Sequence, residues 1–235
     1  MKRLSFFAII ALCAVMVSCN CKKETAQPTE EKAEITQAAS QEIGAIRTAT
    51  ELAKYGYEVE SASALIEAAQ IFVSIQTQEL GAEMEAGAQN ENETAKQDRS
   101  LDPKDLLAKA KEFAFDDELL LGMIARVENK MTAMAEGTRG AIGGPKEGRG
   151  TVYANSYTYY TQKFWANEIA EVLVSGDGDT DLDLYVYDEN GNLIESDTDY
   201  TDDCYVRFCP KWTGPFRIKI VNRGGVYNNY IILTN

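Results

Sequence analysis

Short runs of β-branched and aromatic residues, separated by turn residues, follow one another from Thr151 to Asn235. Strands of this length and spacing are typical of an all-β sandwich. The sequence therefore predicts a sandwich domain over residues 151–235. The runs are SYTYYTQKFW, EIAEVLVSG, LDLYVYD, NLIES, CYVRF, PFRIKIVN and YNNYIILTN.

Alternation within these runs predicts which side chains face the core. Successive side chains of a strand point to opposite sides of the sheet, so LDLYVYD presents one apolar set and one polar and aromatic set. Asn190–Gly191 lies between two runs and is the strongest short signal for a β-hairpin. The apolar set is Leu182, Leu184 and Val186; the other is Asp181, Asp183, Tyr185 and Tyr187; Phe216, Ile218 and Ile220 form a second inward row.

Apolar residues at spacings of three and four predict helices within residues 42–135. The link GYEVES favours an antiparallel pair of helices. Asp102 suits the N-cap and Pro103 the first position of a third helix, and Asp116 suits the cap of a fourth. The glycine-rich residues 136–150 predict a linker. The fold class is therefore a multidomain chain, with helical hairpins or a bundle followed by an all-β sandwich.

Residues 1–18 have the pattern of a secretion signal, with Lys2 and Arg3, an apolar run and a small residue before Cys19. This ending resembles the lipobox of bacterial lipoproteins, in which the cysteine is lipidated. The resemblance implies that Cys19 anchors the chain in a lipid bilayer of the cell envelope, on its periplasmic or surface face. The polar residues 19–41 are then expected to be a flexible tether. A plain secretory peptide or a short membrane anchor is the alternative.

The charge balance excludes several classes of function. The chain has 37 Asp and Glu against 23 Lys and Arg, a formal net charge of −14, and no histidine. Nucleic-acid binding requires clustered basic residues, so such a partner is not expected. Without histidine, Ser–His and Cys–His catalysis and His-ligated zinc are absent.

An acidic segment from Asp177 to Asp203 contains no Lys or Arg. Carboxylates in loops are the oxygen ligands that calcium prefers, so this segment predicts a calcium site if its two loops meet. It is not an EF-hand, because Leu182 stands where that loop needs glycine. The alternative is a solvated acidic edge that keeps the domain soluble. The candidate ligands are Asp177, Asp179, Asp181, Asp199, Asp202 and Asp203.

Cys204 and Cys209 lie in one predicted strand. At ~3.3 Å per residue their Cα atoms would be about 16 Å apart, whereas a disulfide requires roughly 4.4–6.8 Å. We therefore expect two separate thiols rather than a Cys204–Cys209 bridge.

Exposed aromatic residues are the other candidate site. Aromatic rings stack on sugars and anchor protein partners, and Tyr185, Tyr187 and Trp212 are the predicted binding residues. Half-buried sheet surface is the alternative explanation for them and for the other aromatic residues of the domain, Tyr157, Tyr159, Tyr160, Trp165 and Tyr200.

The segment GDGDTDLDLYVYDENGNLIESDTD, followed by TGPFRIKIVN, resembles the bacterial pre-peptidase C-terminal domain. The hallmark of that family is an acidic turn, a DLDLYVYD-like strand, a hairpin and a T-G-x-[YF]-x-[IV]-x-[IV] strand. The resemblance covers about Thr151 to Asn235 and implies a jelly-roll-like sandwich. Some relatives bind calcium or extracellular matrix, which implies binding here as well. Helices rather than a peptidase precede the domain, so proteolysis is not implied.

Together these patterns predict a non-catalytic, lipid-anchored binding or accessory protein, with a protein or glycan ligand and calcium as the only candidate cofactor. A contiguous aromatic patch on one sheet would favour this function. An enzyme using carboxylates at the helix–sandwich junction is one alternative, marked by acids with raised pKa values in a pocket. A helical oligomerisation platform is another, marked by an uncovered apolar groove.

Overall fold

The computed structural model describes residues 30–81, 83–87, 96, 99–137 and 144–235. The predicted signal sequence, the lipidation of Cys19 and the first part of the predicted tether lie outside these residues. None of the described helices combines the length and the apolar character that a membrane span requires.

The N-terminal part forms helices whose starts follow from their caps. Ser61 accepts a hydrogen bond from the Ala64 amide at the start of α2, and Asp102 accepts one from Lys104 at the start of α3. The prediction for Asp102 is confirmed. Asp117 rather than Asp116 caps α4, since its carboxylate accepts from the amides of the second and third residues after it. The helices are α1 Glu30–Glu58, α2 Ala62–Ser74, α3 Pro103–Ala114 and α4 Glu118–Gly137.

Helix α1 begins at Glu30, so residues 30–41 are helical rather than a flexible tether. This segment is rich in Glu, Ala and Gln, which are good helix formers. It lacks a continuous apolar stripe, and the periodicity therefore predicted a helix only from about residue 42.

Ten strands form two five-stranded sheets in the described residues. The first sheet has the order β1, β3, β10, β5, β8, and the second has the order β2, β4, β9, β6, β7. The strands are β1 Gln78–Glu79, β2 Glu83–Ala86, β3 Lys146–Val152, β4 Tyr157–Phe164, β5 Ala170–Gly176, β6 Leu182–Tyr187, β7 Leu193–Asp197, β8 Asp203–Phe208, β9 Gly214–Asn222 and β10 Asn228–Thr234.

The predicted division between helical region, linker and sandwich needs correction at two places. The helical region supplies β1 and β2, one strand for each sheet, and β3 begins at Lys146 inside the predicted linker. Both early strands are short and lie at sheet edges, where polar residues are tolerated. Their sequences, QE and EMEA, are two and four residues long, and the polar–apolar alternation of EMEA is too short to indicate a strand.

Side chains from both sheets fill the space between them. The predicted inward rows are confirmed, because Leu182, Leu184 and Val186 of β6 and the alternating apolar residues of β9 are buried there. Tyr160 and Tyr230 meet in this core, with their hydroxyl oxygens 2.8 Å apart. The β6–β7 hairpin is confirmed as well, with Gly191 at a φ of 81° in its turn.

The helices pack on the outer side of the first sheet. Leu173 of β5 and Ile231 and Leu233 of β10 join the buried residues of the helices in one apolar cluster. The neighbouring residues Val172 and Ile232 point to the other side, into the core between the sheets. The molecule thus has three layers: helices, first sheet, second sheet.

The two C-terminal cysteines do not bond to each other. Cys204 is a free, buried thiol that donates a hydrogen bond to the Leu182 carbonyl, and its burial raises its pKa. Cys209 takes part in a disulfide, so the expected free thiol at this position is wrong.

Candidate functional site

Four tyrosines lie together on the outer side of the second sheet. Strand β4 carries Tyr157 and Tyr159, and β6 carries Tyr185 and Tyr187; buried residues occupy the alternate positions. Strand β9 runs between β4 and β6. Because the side-chain period of a strand is two, all four rings face away from the core.

Strand β9 adds two cations to the same surface. Lys219 is paired in register with Tyr159 on one side and Tyr185 on the other, and Arg217 is paired with Tyr187. These residues form a patch with a basic centre and aromatic flanks. We call Tyr157, Tyr159, Tyr185, Tyr187, Arg217 and Lys219 the tyrosine face.

Ring contacts hold the tyrosine face together. The Arg217 guanidinium carbon lies 4.1 Å from the centre of the Tyr159 ring, and the Lys219 ammonium lies 5.1 Å from that of Tyr157. Tyr157 and Tyr159 meet edge to face at 5.2 Å. Tyr185 and Tyr187 lie nearly parallel, with their ring centres 6.2 Å apart. Such cation–ring and ring–ring contacts are each worth roughly 0.5–1.5 kcal/mol.

Hydrogen bonds fix the hydroxyl of Tyr185. This hydroxyl donates to Asp183 at 2.9 Å and accepts from Arg223 at 3.1 Å, while Arg223 also donates to Asp183 at 2.6 Å. Burial, followed by the hydrogen bond to Asp183, raises the pKa of Tyr185. The two hydrogen bonds of the hydroxyl hold the Tyr185 ring in one orientation.

The tyrosine face is not covered by the helices. The apolar cluster that they form contains residues of the first sheet and none of the second. Tyr157 is 39% exposed and the Arg217 side chain 47% exposed. The predicted marker of a binding protein was a contiguous aromatic patch on one sheet; this surface instead carries two tyrosine pairs, one on β4 and one on β6, with Arg217 and Lys219 of β9 between them.

The acidic turn at Asp177 meets the loop that contains Asp202, as the predicted metal site required. The Gly178 amide donates to the Asp202 carboxylate, and the Gly176 amide donates to the Asp202 carbonyl. The two loops therefore form one acidic end of the sandwich.

Basic residues from the helical part neutralise this acidic end. Lys96 lies 2.5 Å from Asp177 and 2.8 Å from Asp179, and Lys54 lies 2.7 Å from Asp202. The Asp177 side chain is fully buried, and burial raises its pKa although the hydrogen bond from Lys96 opposes this. At the same end, Arg47 pairs with Asp203 at 2.5 Å and Arg99 approaches Asp179 at 3.6 Å.

The remaining candidate ligands have separate surroundings. Asp199 accepts hydrogen bonds from the amide and hydroxyl of Thr201, which lower its pKa. Asp181 has a buried carboxylate oxygen without a hydrogen-bond partner, and burial followed by the charges of nearby aspartates raises its pKa. Among the described residues, no group of three or more His, Cys, Asp or Glu side chains is placed to hold a metal ion.

Trp212 is not part of the tyrosine face. Its ring stacks on Phe216 of the core at 5.6 Å, and its Nε1–H donates to Glu189 at 2.9 Å. It closes one end of the core between the sheets, so the structure separates it from Tyr185 and Tyr187.

Sequence reasoning missed the basic half of both sites. In PFRIKIVN the inward row was recognised, and the same alternation places Arg217 and Lys219 outward. The partners of the acidic end had no local signal, because Lys96 is 81 residues from Asp177 and Lys54 is 148 residues from Asp202.

Comparison with known proteins gives similarity of structure alone. No family model matches the sequence, and no curated protein matches it. The periplasmic inhibitor of g-type lysozyme from Aeromonas hydrophila is 13% identical, with 39% of this chain and 84% of that chain covered and a TM-score of 0.31.

Two further solved structures show a comparably low similarity. The pre-peptidase C-terminal domain of collagenase from Bacillus anthracis is 11% identical, covering 39% of this chain and 87% of that chain, with a TM-score of 0.31. A carbohydrate-binding module of Cellvibrio mixtus lichenase 5A, solved with cellotriose, is 12% identical, covering 38% of this chain and 86% of that chain, with a TM-score of 0.25. None of these similarities assigns a ligand to this chain.

Proposed function

We propose that this protein is a non-catalytic binding protein of the bacterial cell envelope, whose ligand docks on the tyrosine face. One observation carries the proposal: the strand order β4, β9, β6 gathers four tyrosines and two cations on a sheet surface that the helices leave open. Tyrosine and arginine are the residues most often responsible for binding energy at interfaces.

The chemistry of the molecule favours binding over catalysis. The sequence has no histidine, and Asp183, a buried carboxylate next to the tyrosine face, is engaged by Arg223. At the helix–sandwich junction, Asp177, Asp179, Asp202 and Asp203 are paired with Lys or Arg. Burial raises the pKa of Asp177, but its carboxylate oxygen already accepts hydrogen bonds from the Lys96 ammonium and the Asn229 amide, so it is engaged within the protein rather than directed at a substrate.

The oligomerisation platform receives no support from the helices. Their buried apolar residues pack on Leu173, Ile231 and Leu233 of the first sheet. The buried part of the apolar stripe is thus used within the chain, while Phe115 and Leu119 remain exposed where α3 meets α4.

Location in the envelope is the second part of the proposal. It is supported by the secretion-signal pattern of residues 1–18 and by the lipobox-like ending at Cys19. A lipid on Cys19 would hold the chain at a bilayer and leave the tyrosine face free for a protein or glycan ligand. Mass analysis of the chain isolated from membranes tests this part: an acylated N-terminal Cys19 is expected, and an unmodified chain would contradict it.

Binding is tested with the full chain in detergent against a panel of purified polysaccharides and extracellular matrix proteins. We expect at least one ligand whose affinity falls about tenfold or more in Tyr159→Ala and Tyr187→Ala, since truncating a central aromatic anchor typically removes more than about 1.4 kcal/mol. Tyr200→Ala is the matched control, because this tyrosine is 96% exposed and lies outside the tyrosine face.

The two tyrosine variants must remain folded for this result to count, which circular dichroism checks. A ligand that binds the wild type and both variants equally would place the site elsewhere. Chemical conversion of any panel member by the wild type would contradict the non-catalytic part of the proposal.

A further inference from the structure

The tyrosine face carries positive charge in a strongly acidic chain. The net charge is −14, yet Arg217 and Lys219 stand side by side on the outward positions of β9. Lys163 extends the basic row along β4, where its ammonium lies 4.7 Å from the Trp165 ring. A local charge opposite to that of the whole molecule indicates the charge of the ligand.

Little of this positive charge is neutralised within the chain. Arg217 lies 3.3 Å from Glu85, but both side chains are exposed, at 47% and 72%, and such pairs are weak. In the described part of the chain, the contacts of Lys219 are with the rings of Tyr157 and Tyr159 rather than with a carboxylate. A neutral ligand covering these cations would strip water from them without replacing it.

The backbone beneath the tyrosine face has no hydrogen-bonding capacity left for a ligand. Strand β9 is paired with β4 on one side and with β6 on the other. An extended peptide binds a sheet by adding to an unpaired edge, and a helical peptide needs an apolar groove. This surface instead offers aromatic rings and side-chain donors, which suit the apolar faces and the acidic groups of a sugar chain.

We propose that the ligand of the tyrosine face is an anionic glycan, a polysaccharide whose carboxylates pair with Arg217 and Lys219 while its sugar rings lie against the tyrosines. This inference rests on the proposed function and adds the chemical class of the ligand. The acidic remainder of the molecule repels such a polymer, so binding is confined to this one surface and weakens with salt.

The test compares glycans that differ in charge alone. Polygalacturonate, alginate and hyaluronate are titrated into the full chain in detergent, each beside its methyl-esterified form, in which the carboxylates are neutral. We expect binding of at least one acidic form and about tenfold weaker binding of its ester, because hydrogen bonds between charged groups are stronger than neutral ones.

Two double variants test whether the difference in affinity between the acidic glycan and its ester arises at the tyrosine face. The double variant Arg217→Gln/Lys219→Gln is expected to bind the acidic form about as weakly as the wild type binds the ester. Lys104→Gln/Lys111→Gln removes the same two charges from α3, in the helical layer on the other side of the molecule, and is expected to bind like the wild type.

Three results would overturn the inference. If both forms bind equally and only Tyr159→Ala weakens them, the charge assignment fails and the proposed binding function stands. If the wild type binds none of the acidic glycans, the ligand class is wrong. If poly-glutamate binds as tightly as the best acidic glycan, the surface recognises charge on a polypeptide equally well and the glycan assignment fails.

Discussion

The outer sides of the two sheets show how the same alternation leads to opposite results. On the first sheet the outward residues include Leu173, Ile231 and Leu233, and the helices cover them. On the second sheet the outward residues include Tyr159 and Arg217, and the helices leave them open. Apolar outward residues gain free energy from a covering layer, whereas tyrosine and arginine tolerate water and retain the capacity to bind. The comparison separates a side that is covered within the molecule from the open side on which we propose that a ligand docks.

The charged residues of the covered end and of the open tyrosine face differ in the same way. At the end of the sandwich next to the helices, Asp177 and Lys96 are buried with side-chain exposures of 0% and 7%. On the tyrosine face, Arg217 and its partner Glu85 are both exposed, and Lys219 is half-buried. The buried pair fixes Lys96 to the acidic end of the sandwich, whereas the Arg217 side chain is accessible to a ligand.

The largest expected effect is on the covered side, in Lys96→Met. Removing one partner of a buried ion pair leaves the other charge uncompensated, so the free energy of unfolding should fall by about 3–5 kcal/mol at neutral pH. Lys109→Met is the matched control: its ion pair with Glu112 is partly exposed, and its loss should cost less than about 1 kcal/mol. Urea unfolding measures both.

The pH dependence of the unfolding free energy of Lys96→Met tests whether the uncompensated charge of Asp177 causes the loss of stability. Burial already raises the pKa of Asp177, and the hydrogen bond from Lys96 opposes this, so Lys96→Met should raise it further. A carboxyl group with a higher pKa in the folded state loses stability as pH rises from its unfolded pKa to its folded pKa. The difference in unfolding free energy between the wild type and Lys96→Met should therefore become smaller in mildly acidic solution. A deficit independent of pH would contradict this assignment.

The apolar contact between the layers gives the next effect. Leu233→Ala should lower the free energy of unfolding by about 2–5 kcal/mol, because Leu233 is fully buried between helices and sheet and its truncation leaves a cavity. Leu193→Ala, at a leucine that is 53% exposed on the second sheet, provides the comparison. Equal losses in the two variants would remove the distinction between a covered and an open side.

The sequence predicted the strands that are bounded by turn residues and contain alternating apolar residues. The runs between residues 157 and 234 were recovered because turn residues separate them and apolar residues alternate within them. It did not predict β1 and β2, since strands of two and four residues are too short for alternation to mark them. It also did not predict which strands become neighbours, and the tyrosine face exists only because β9 inserts between β4 and β6.

The acidic end shows that the local sequence also does not reveal which charged residues become partners in the fold. Counting residues between Asp177 and Asp203 correctly found no local cation, and a calcium site was the natural hypothesis. The fold brings Lys54 and Lys96 there from distant parts of the chain. Local composition cannot anticipate a neutralising charge that arrives through tertiary structure.

On the open side, truncating a tyrosine should barely affect stability. Tyr187→Ala is expected to change the free energy of unfolding by roughly 0.2–1 kcal/mol, the range for cross-strand pairs on a sheet surface. Urea unfolding beside Leu233→Ala gives the comparison directly. If Tyr187→Ala is as destabilising as Leu233→Ala, its ring is part of the structural core and the proposed binding function loses its main support.

Calcium should have the smallest effect. Asp177, Asp179, Asp202 and Asp203 already face ammonium or guanidinium groups, and an incoming ion would have to displace them. We therefore expect the same Tm in EDTA and in millimolar calcium. A ligand bound only by the folded state adds ~2.7 kcal/mol at a hundredfold excess over its Kd, so a real site would be evident. A rise in Tm that Asp179→Asn and Asp181→Asn abolish would show that calcium replaces the lysines, and that the covered end of the molecule also binds a ligand.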